Sequence, residues 1–491
     1  MATPADERPA LRGGLSAAAF FSIAFGSMIG VGWVTALGDW LGKAGPGGAM
    51  AAFAAGGGLM VLIGLCYAEL TSMFPVAGGE VAYSYAAHGT GRSFVVGWFL
   101  AFGYLSVSAF EAVSVGRVVA YLAPGIDRFP LYEIGGETVY ATHLALAGAF
   151  TAGLTWINLR GAGDVGRVQT ILMTAFLTAA LVLIGAGLFF GDATAVTGWF
   201  GEFEGGPLAG GLAVFVTAPF WFVGFDAIPQ AAEEASSSVS PRRLGALIVA
   251  SILAAALFYV VLILAVAMLG DWRETASAPL ATAEAFRRAF GSEAAADLVL
   301  VAALLGLLTS WNGFFLAGSR VLFALGRGAV ISTKFGATHP RFGSPATAVA
   351  FSGLSTFAGA ALGRGAMISF VNVGSLAIAL AFCGVCASAW TLRKTHPRAS
   401  RPYRAAGGRA LPAAAFFGAL FVLSTLVAPR SPANLRWPLE WAIFGAICAA
   451  GGAAWLFGGP ARRAVPESER TALILGPAAA ALESDSHAVT R

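Results

Sequence analysis

The chain has 491 residues, of which 57% are apolar and 11% are charged, and its mean hydropathy is +0.75. This composition excludes a soluble fold, whose exterior needs more polar cover, and a disordered chain, which needs more charge. The net charge of +4 arises without any basic run that is interleaved with aromatic residues, which argues against a nucleic-acid partner. The sequence therefore predicts an integral membrane protein with room for about twelve helices of ~20 residues.

Apolar runs that are long enough to cross a bilayer recur from residue 15 to residue 457. We predict about twelve transmembrane helices, at 15–37, 48–74, 94–122, 140–158, 168–190, 211–232, 244–269, 298–325, 346–362, 367–391, 411–428 and 438–457. Residues 15–457 are expected to form one polytopic domain, with a surface helix around TAEAFRRAF in the external loop 270–297. Residues 1–14 precede this domain, and residues 458–491 follow it as a tail that is expected to be polar and loose from residue 464 onward.

The distribution of basic residues predicts the orientation of the chain. With an even number of spans and the N terminus inside, most of the 30 Lys and Arg residues fall in cytoplasmic segments, as the positive-inside rule requires. The external segment 191–210 is acidic, with Asp192, Glu202 and Glu204 and no basic residue. Both termini are therefore expected in the cytoplasm. The Arg-, Ala- and Gly-rich composition is typical of GC-rich bacterial genomes, which points to a bacterial inner membrane.

The first and sixth predicted helices contain residues that interrupt a helix where it should cross lipid. These residues are Gly26, Gly30 and Gly32 in AFGSMIGVGW, and Pro219, Gly224 and Pro229 in APFWFVGFDAIPQ. Packing glycines and a proline kink are the alternative explanation of each break. Two broken helices that open corresponding halves, 15–190 and 211–391, instead favour a transporter whose binding site lies at the midplane of the membrane.

A broken helix offers groups of both signs to a ligand. The unwound turn and the new helix N terminus present N–H groups, which favour a carboxylate, whereas the half-helix that ends there presents carbonyl oxygens, which suit an ammonium group or Na⁺. A small zwitterionic amine–carboxylate substrate matches both ends. The residues expected to form this site are Gly26, Ser27, Ile29, Gly30, Val31, Gly32 and Trp33 of the first helix, and Phe220, Trp221, Phe222, Gly224 and Asp226 of the sixth.

Several stretches, in order along the chain, resemble one transporter superfamily. FGSMIGVGW is similar to its GxxIGxG stretch, and FVGFDAIPQAAEEASSSVSPRRLGALI to its sixth-helix pattern. The match continues over residues 15–410 in ELTSMFPVAGGEVAYSYAAHGTGRSFVVGW, SRVLFALGRG, ISFVNVGSLAIALAFCGV and RPYR. The chain thus resembles the amino acid–polyamine–organocation permeases. The resemblance implies an all-α fold of two inverted five-helix repeats with two further helices, 411–457, and alternating-access transport of amino acids or related amines.

Two positions depart from the superfamily pattern. Val31 stands where many members have a serine between the two glycines, so that only the backbone amide is available there. Several proton-coupled relatives carry a lysine midway along the fifth helix, and Phe176 falls at the corresponding position. This second departure argues against a proton relay that depends on a lysine.

Two acidic residues are candidates for coupling to a cation. Glu111 is predicted deep within the third helix, where a carboxylate is costly unless it is protonated, paired or facing water. It is a proton carrier or a counter-ion for a substrate ammonium group, or else a partner of Arg117, although a six-residue offset separates their helix faces. Asp226, in the sixth-helix break, is a second coupling candidate or a cap for loose N–H groups. Ion pairs that are solvated or that gate the transporter are expected for Glu69, Glu233 and Glu234.

The eighth helix contains a candidate sodium site. Sodium-coupled transporters of the resembling fold use two adjacent hydroxyl residues of this helix together with carbonyl oxygens of the first. That resemblance implies a site made of Thr309 and Ser310 with the backbone oxygens of Gly26 and Ile29. Neutral oxygens suit a hard cation, but Thr and Ser side chains also commonly bond to their own helix.

The sequence as a whole predicts a secondary active permease that imports an amino acid or small organic amine with a coupled cation, H⁺ in preference to Na⁺. The aromatic run Phe220 to Phe222 is expected to cover the substrate. An exchanger without ion coupling and a sensor that binds without transporting are the alternatives. No cofactor, resident metal or enzymatic activity is expected, because no nucleophile–base pair emerges and the Cys383–Cys386 pair lacks further ligands.

Overall fold

The computed structural model describes residues 8–196, 198–201, 203, 206–480 and 482. Within these residues the chain is mainly α-helical, and its two strands form a single hairpin. Some of the predicted features fall outside the described residues: positions 1–7 and 483–491 of the terminal segments, and Glu202 and Glu204 of the acidic external segment.

The helices and strands of the described residues have the following bounds. They are α1 (Ala17–Met28), α2 (Gly32–Thr35), α3 (Leu37–Met73), α4 (Gly79–His88), α5 (Thr90–Leu122), β1 (Pro130–Ile134), β2 (Glu137–Tyr140), α6 (Ala141–Arg160), α7 (Ala162–Phe190), α8 (Pro207–Thr217), α9 (Ala227–Gln230), α10 (Pro241–Ala267), α11 (Trp272–Ala276), α12 (Ala281–Phe290), α13 (Glu293–Arg327), α14 (Ala346–Ala360), α15 (Gly363–Thr395), α16 (Ala410–Val427), α17 (Leu439–Phe457), α18 (Gly459–Ala464) and α19 (Glu467–Leu475).

Ten segments of the described chain are long and apolar enough to cross a membrane. They are Ala17–Thr35, Leu37–Met73, Thr90–Leu122, Ala162–Phe190, Pro207–Gln230, Pro241–Ala267, Glu293–Arg327, Gly363–Thr395, Ala410–Val427 and Leu439–Phe457. The fourth and ninth predicted helices are present as α6 and as the shorter α14, but they are not among these ten. The prediction of an all-α membrane fold is confirmed.

Small residues let the central helices pack closely. A Cβ added to Gly57 of α3 would lie 2.7 Å from the Cβ of Ala256 in α10, and one added to Gly103 of α5 would lie 2.6 Å from Ile378 of α15. Such close approach maximises van der Waals contact, which drives helix association where lipid surrounds the protein. The helices α1, α3, α5, α10, α13 and α15 thus form the core, and α17 lies at the periphery with Phe457 85% exposed.

Two elements lie at the end of the protein where α6 and α15 begin. The predicted surface helix in the loop 270–297 is confirmed as α12. The hairpin of β1 and β2 was not predicted from the sequence, although its turn, Gly135–Gly136, has positive φ at both positions, which suits the two-residue turns that hairpins favour.

The expectation of a loose tail from residue 464 onward is wrong as far as residue 475, because residues 459–475 are folded. They form α18 and α19, and Arg470 holds them in place by donating to the carbonyl oxygens of Gly328 (3.2 Å) and Val465 (2.8 Å). Ile474 is 2% exposed, and its side chain meets Gly328 at the end of α13. The polar composition of this segment was misleading because the two apolar residues that end α19, Ile474 and Leu475, are both buried.

Candidate substrate and cation site

Both predicted helix breaks are present. α1 ends at Met28, Ile29 has non-helical φ and ψ, and α2 begins only at Gly32. In the sixth predicted helix, called the sixth segment below, α8 ends at Thr217, a 3₁₀ turn covers Ala218–Phe222, and α9 begins at Ala227. Of the residues that predicted these breaks, Gly30, Pro219 and Gly224 lie within them, whereas Gly26 lies in the last turn of α1, Gly32 begins α2 and Pro229 lies in α9.

The two breaks touch each other at Gly224. This residue has a φ of +127°, which L side chains rarely adopt, and a Cβ there would lie 2.8 Å from the backbone carbon of Ser27. Glycine is therefore required for two reasons, the backbone conformation and the close approach of the first break. The contact brings the unwound turns of both helices to one place in the protein.

A cavity of about 520 Å³ lies beside these breaks. Its main lining residues are Ser27, Met28, Gly30, Val31 and Gly32 from the first segment, Phe220, Trp221 and Val223 from the sixth, Val107, Phe110, Glu111 and Ser114 from α5, Ser310 and Phe314 from α13, and Asn372, Ser375 and Ile378 from α15. Arg117, Tyr121 and Arg364 line its end toward the β-hairpin. The cavity is thus mostly apolar, with one carboxyl group and a few hydroxyl and amide groups, and with two guanidinium groups at its end toward the hairpin.

The cavity brings together part of the predicted site. Of the predicted residues, Ser27, Gly30, Val31, Gly32, Phe220, Trp221, Glu111 and Ser310 line it. The others, Gly26, Ile29, Trp33, Phe222, Gly224, Asp226 and Thr309, lie behind this lining. Trp33 and Phe222 are turned into an aromatic cluster, with ring centroids 6.3 Å apart for Trp33 and Phe176, and 5.8 Å apart for Phe222 and Tyr259. Only Phe220 and Trp221 of the aromatic run therefore face the cavity.

The indole ring of Trp221 lies directly over Gly32. A Cβ added to Gly32 would overlap the Cζ3 atom of this ring and lie 2.7 Å from its Cε3 atom. The ring is held from behind by Trp40, whose centroid is 5.2 Å away at an interplanar angle of 74°. Glycine at this position thus lets an aromatic side chain of the sixth segment pack on the backbone of the first break.

Glu111 is hydrogen-bonded to Ser310 of α13, the eighth predicted helix, rather than paired with Arg117. Its side chain is 5% exposed, and its Oε1 atom accepts a hydrogen bond of 2.7 Å from the hydroxyl group of Ser310. Its Oε2 atom is buried without a hydrogen-bond partner among the described residues. Arg117 instead lies 5.8 Å from the ring centroid of Tyr121. A buried carboxyl group with a free oxygen beside the cavity is able to carry a proton or to bind a cationic group of a ligand.

Oxygen atoms of the predicted sodium site lie close together. The Thr309 hydroxyl group donates to the Gly306 carbonyl at 2.8 Å and lies 3.5 Å from the Gly26 carbonyl oxygen. A Cβ on Gly306 would lie 3.0 Å from the carbonyl oxygen of Ile29. The Ser310 hydroxyl lies 3.4 Å from the carbonyl oxygen of Ser27. Thr309 thus bonds to its own helix, as the alternative held, while it also faces the first break.

Comparison with known proteins identifies the family. A family model described as amino acid permease matches residues 15–468. The chain belongs to the amino acid permease family. This permease is similar to the methylthioribose transporter of Bacillus subtilis, with 27% identity over 355 residues that cover 70% of this chain and 73% of the relative. It is also similar to the branched-chain amino acid permease BcaP of Bacillus subtilis, with 25% identity over 416 residues, 82% of this chain and 86% of the relative.

The similar transporters include a plant protein. The cationic amino acid transporter 2, vacuolar, of Arabidopsis thaliana is 27% identical over 347 residues, which are 68% of this chain but 53% of the relative. The family and the apolar helices together make this chain a multi-pass membrane permease for a small molecule. The relatives are transporters rather than enzymes.

Sequence reasoning missed a chain of buried polar groups in this permease. Gln169 of α7 donates from Nε2 to the carbonyl oxygens of Ser22 (3.0 Å) and Thr309 (3.1 Å), and accepts from Asn312 at 2.8 Å. Asn158 of α6 donates to Asn312 at 3.2 Å, and its Oδ1 atom accepts from Arg320 at 3.1 Å. The signal in the sequence was three amide residues, Asn158 and Gln169 at the edges of two predicted spans and Asn312 within a third, but no local pattern shows that they meet.

Ion pairs close the end of the protein opposite the hairpin. Arg320 holds both carboxylate oxygens of Glu234 at 2.8 Å, and Arg327 and Arg8 contact Glu233 at 2.8 and 3.0 Å. Burial raises the pKa of Glu233, but the charges of Arg327 and Arg8 lower it by more, so that it lies below its usual value. Glu69 pairs with Arg393 at 2.5 Å and with Arg401 at 3.1 Å. The three predicted ion-pairing glutamates are therefore paired; Glu69 and Glu234 are buried, and Glu233 is half-buried.

Proposed function

We propose that this permease is a secondary active transporter that imports an amino acid or a small organic amine together with a cation, with H⁺ favoured over Na⁺. The observation that carries the proposal is the cavity at which both broken helices meet and which contains the carboxyl group of Glu111. A transporter that alternates access needs such a binding site between two gated ends. The proposal includes twelve transmembrane helices in two inverted five-helix repeats, with α16 and α17 outside them.

The first break is suited to a substrate carboxylate. The amide groups of Gly30 and Val31 donate no backbone hydrogen bond within the described part of the chain, and both residues line the cavity. Unpaired N–H groups next to a helix N terminus favour an anion. The substrate amine then lies toward the free Oε2 atom of Glu111 or toward carbonyl oxygens of the breaks, and Trp221 covers it from the sixth segment.

The surroundings of the two cation sites favour H⁺. Glu111 is a titratable group that lines the cavity and keeps one oxygen free. At the alternative sodium site the Thr309 hydroxyl donates to Gly306 and its oxygen lies 3.5 Å from the Gly26 carbonyl oxygen, and none of the four expected ligands, Gly26, Ile29, Thr309 and Ser310, is titratable.

The charged ends support an orientation with both termini in the cytoplasm of a bacterial inner membrane. The sealed end carries the basic residues Arg8, Arg320, Arg327, Arg393 and Arg401, which the positive-inside rule places in the cytoplasm. The cavity instead extends toward Arg117, Arg364 and the hairpin at the other end. In this orientation the structure represents a state that is closed to the cytoplasm.

The test is uptake by the purified protein in proteoliposomes against a panel of amino acids and amines. We expect accumulation under an inward pH gradient when Na⁺ is replaced by choline. Accumulation that requires Na⁺ and that is lost in a Thr309→Ala/Ser310→Ala variant would replace H⁺ by Na⁺. Counterflow without any gradient-driven accumulation would show an exchanger, and binding without uptake of any substrate would show a sensor.

A further inference from the structure

Five fully buried polar side chains lie behind the sixth-helix break, away from the cavity. They come from four parts of the fold: Tyr67 from α3, Glu80 from the first turn of α4, Tyr104 from α5, and Asp226 and Gln230 from the sixth segment. Each of these five residues is 0% exposed. The cluster connects the break to α4, which lies next to the ion pairs of the sealed end.

Hydrogen bonds join the two carboxyl groups of this cluster through neutral residues. The Tyr104 hydroxyl donates to Asp226 Oδ2 at 2.6 Å, and the Gly224 amide donates to Asp226 Oδ1 at 2.9 Å. The Nε2 atom of Gln230 donates to Glu80 Oε2 and lies 3.5 Å from the Tyr104 hydroxyl oxygen. Asp226 is therefore fully satisfied as an acceptor, whereas Glu80 is satisfied at one oxygen only.

Three oxygen atoms of the cluster are buried without a hydrogen-bond partner among the described residues. They are Glu80 Oε1, Gln230 Oε1 and the hydroxyl oxygen of Tyr67, which interacts with the Glu80 carboxyl group. Two of them are acceptors, and the Tyr67 hydroxyl offers a single hydrogen. Buried acceptors without a donor are costly, so one more hydrogen is needed at this place. A proton on the Glu80 carboxyl group supplies it.

The charges around the pair also call for a proton. The titratable groups that face Glu80 are Tyr67 of α3, Tyr83 of its own helix, Tyr104 of α5 and Asp226, and Cys386 of α15 faces Tyr67. None of these groups is positive in either form. The nearby Arg320 is engaged by both oxygens of Glu234 and by Asn158, and no ion pair of the described residues includes Glu80 or Asp226.

Burial raises the pKa of Glu80 well above its usual value, and the negative charge of Asp226 raises it further. Two carboxylates that share a buried site without a cation cannot both stay ionised. The raised pKa of Glu80 and the buried oxygen atoms without hydrogen-bond partners therefore both favour a proton on Glu80.

We propose that Glu80 and Asp226 form a proton-binding site, separate from Glu111, that holds one proton between them while the cytoplasmic end is closed. Two hydrogen bonds hold the residues before α4 against the sixth segment in this state: the Gly78 amide bonds to the Gln230 carbonyl at 3.2 Å, and the Ala77 amide bonds to Glu233 at 3.1 Å. When the cytoplasmic end opens, these bonds break and the proton is released to cytoplasmic water. Separation of α4 from the sixth segment therefore exposes the pair. The transport role rests on the proposed H⁺ coupling, but the presence of the proton does not.

Infrared spectroscopy of the purified permease tests the proton directly. A protonated carboxyl group has a C=O stretching band that a carboxylate lacks. We expect Glu80→Gln to remove one such band at neutral pH. Glu234→Gln is the matched control, since it removes a buried carboxyl group that is paired with Arg320, and it should leave the band in place. A band that is unchanged in Glu80→Gln would overturn the proposal.

A milder variant keeps the test open if those variants do not fold. Tyr67→Phe retains both carboxyl groups but removes the hydroxyl that faces Glu80, so we expect the band to shift in frequency. An unshifted band would contradict the assignment of the proton to Glu80.

Transport separates the role of the site from its existence. In proteoliposomes, Glu80→Gln should reduce accumulation under a pH gradient to the level reached without one, while counterflow continues. Accumulation at the wild-type level in this variant would contradict a coupling role. If the wild-type protein transports nothing from the panel, the proposed function fails, and the infrared result still decides whether the pair holds a proton.

Discussion

The buried ion pair of Arg320 and Glu234 allows a prediction whose size follows from its surroundings. The two side chains are 0% and 1% exposed, and the guanidinium group forms two hydrogen bonds of 2.8 Å with the carboxylate. The backbone oxygen of Glu234 also accepts from the amides of Gly14 and Leu15, at the entry to α1. The pair therefore fixes the start of the first helix to the sixth segment and to α13.

Replacement of Arg320 by Met leaves the carboxylate of Glu234 buried without a positive partner. Breaking such a pair costs about 3–5 kcal/mol of unfolding free energy. The double variant Arg320→Met/Glu234→Gln removes both charges, and its cost should fall to about 1–2 kcal/mol, which is the scale of the hydrogen bonds lost to Asn158 and Ser319. The second substitution is thus expected to restore part of the stability that the first one removes.

The assay is reversible unfolding of the purified protein by SDS in mixed micelles, followed by circular dichroism. Arg160→Met is the matched control, because Arg160 pairs with Asp164 at 2.6 Å in a position where the side chains are 45% and 34% exposed. Pairs of this exposed kind contribute about 0–1 kcal/mol. The reasoning is refuted if Arg320→Met costs no more than Arg160→Met, or if the double variant is less stable than the single one.

Three further predictions concern the cavity and the tail. Gly32→Val should lower substrate affinity by about 10-fold or more without unfolding the protein, since displacing Trp221 costs on the order of 1–3 kcal/mol; Gly58→Val, where no atom lies within 4 Å of the added Cβ, is the control in a substrate-binding measurement. Glu111→Gln should abolish accumulation driven by a pH gradient while exchange continues, and a variant that still concentrates substrate would leave Glu111 with a structural role only. Arg470→Ala should release α19, which increased protease cleavage after residue 464 would reveal; cleavage at the wild-type rate would mean that apolar contacts alone hold this helix.

The sequence by itself determined the features that depend on local properties of the chain. Long apolar runs must form helices in a membrane, because only a helix satisfies its own backbone groups there. The glycines and prolines at Gly30, Gly32, Pro219 and Gly224 likewise predicted both breaks, since their effect on the backbone does not depend on neighbours. The motifs along 15–410 were also sufficient to indicate the family.

The tertiary structure alone decided which side chains meet. A helical pattern gives the relative directions of side chains on one helix, but the rotation and tilt of each helix are set by packing against the others. Trp33 and Phe222 therefore turned away from the cavity, while Gln169 reached the first break from α7. The pairing of Glu80 with Asp226 joins residues 146 positions apart in sequence, and no local pattern shows that two acids without a cation share one buried site.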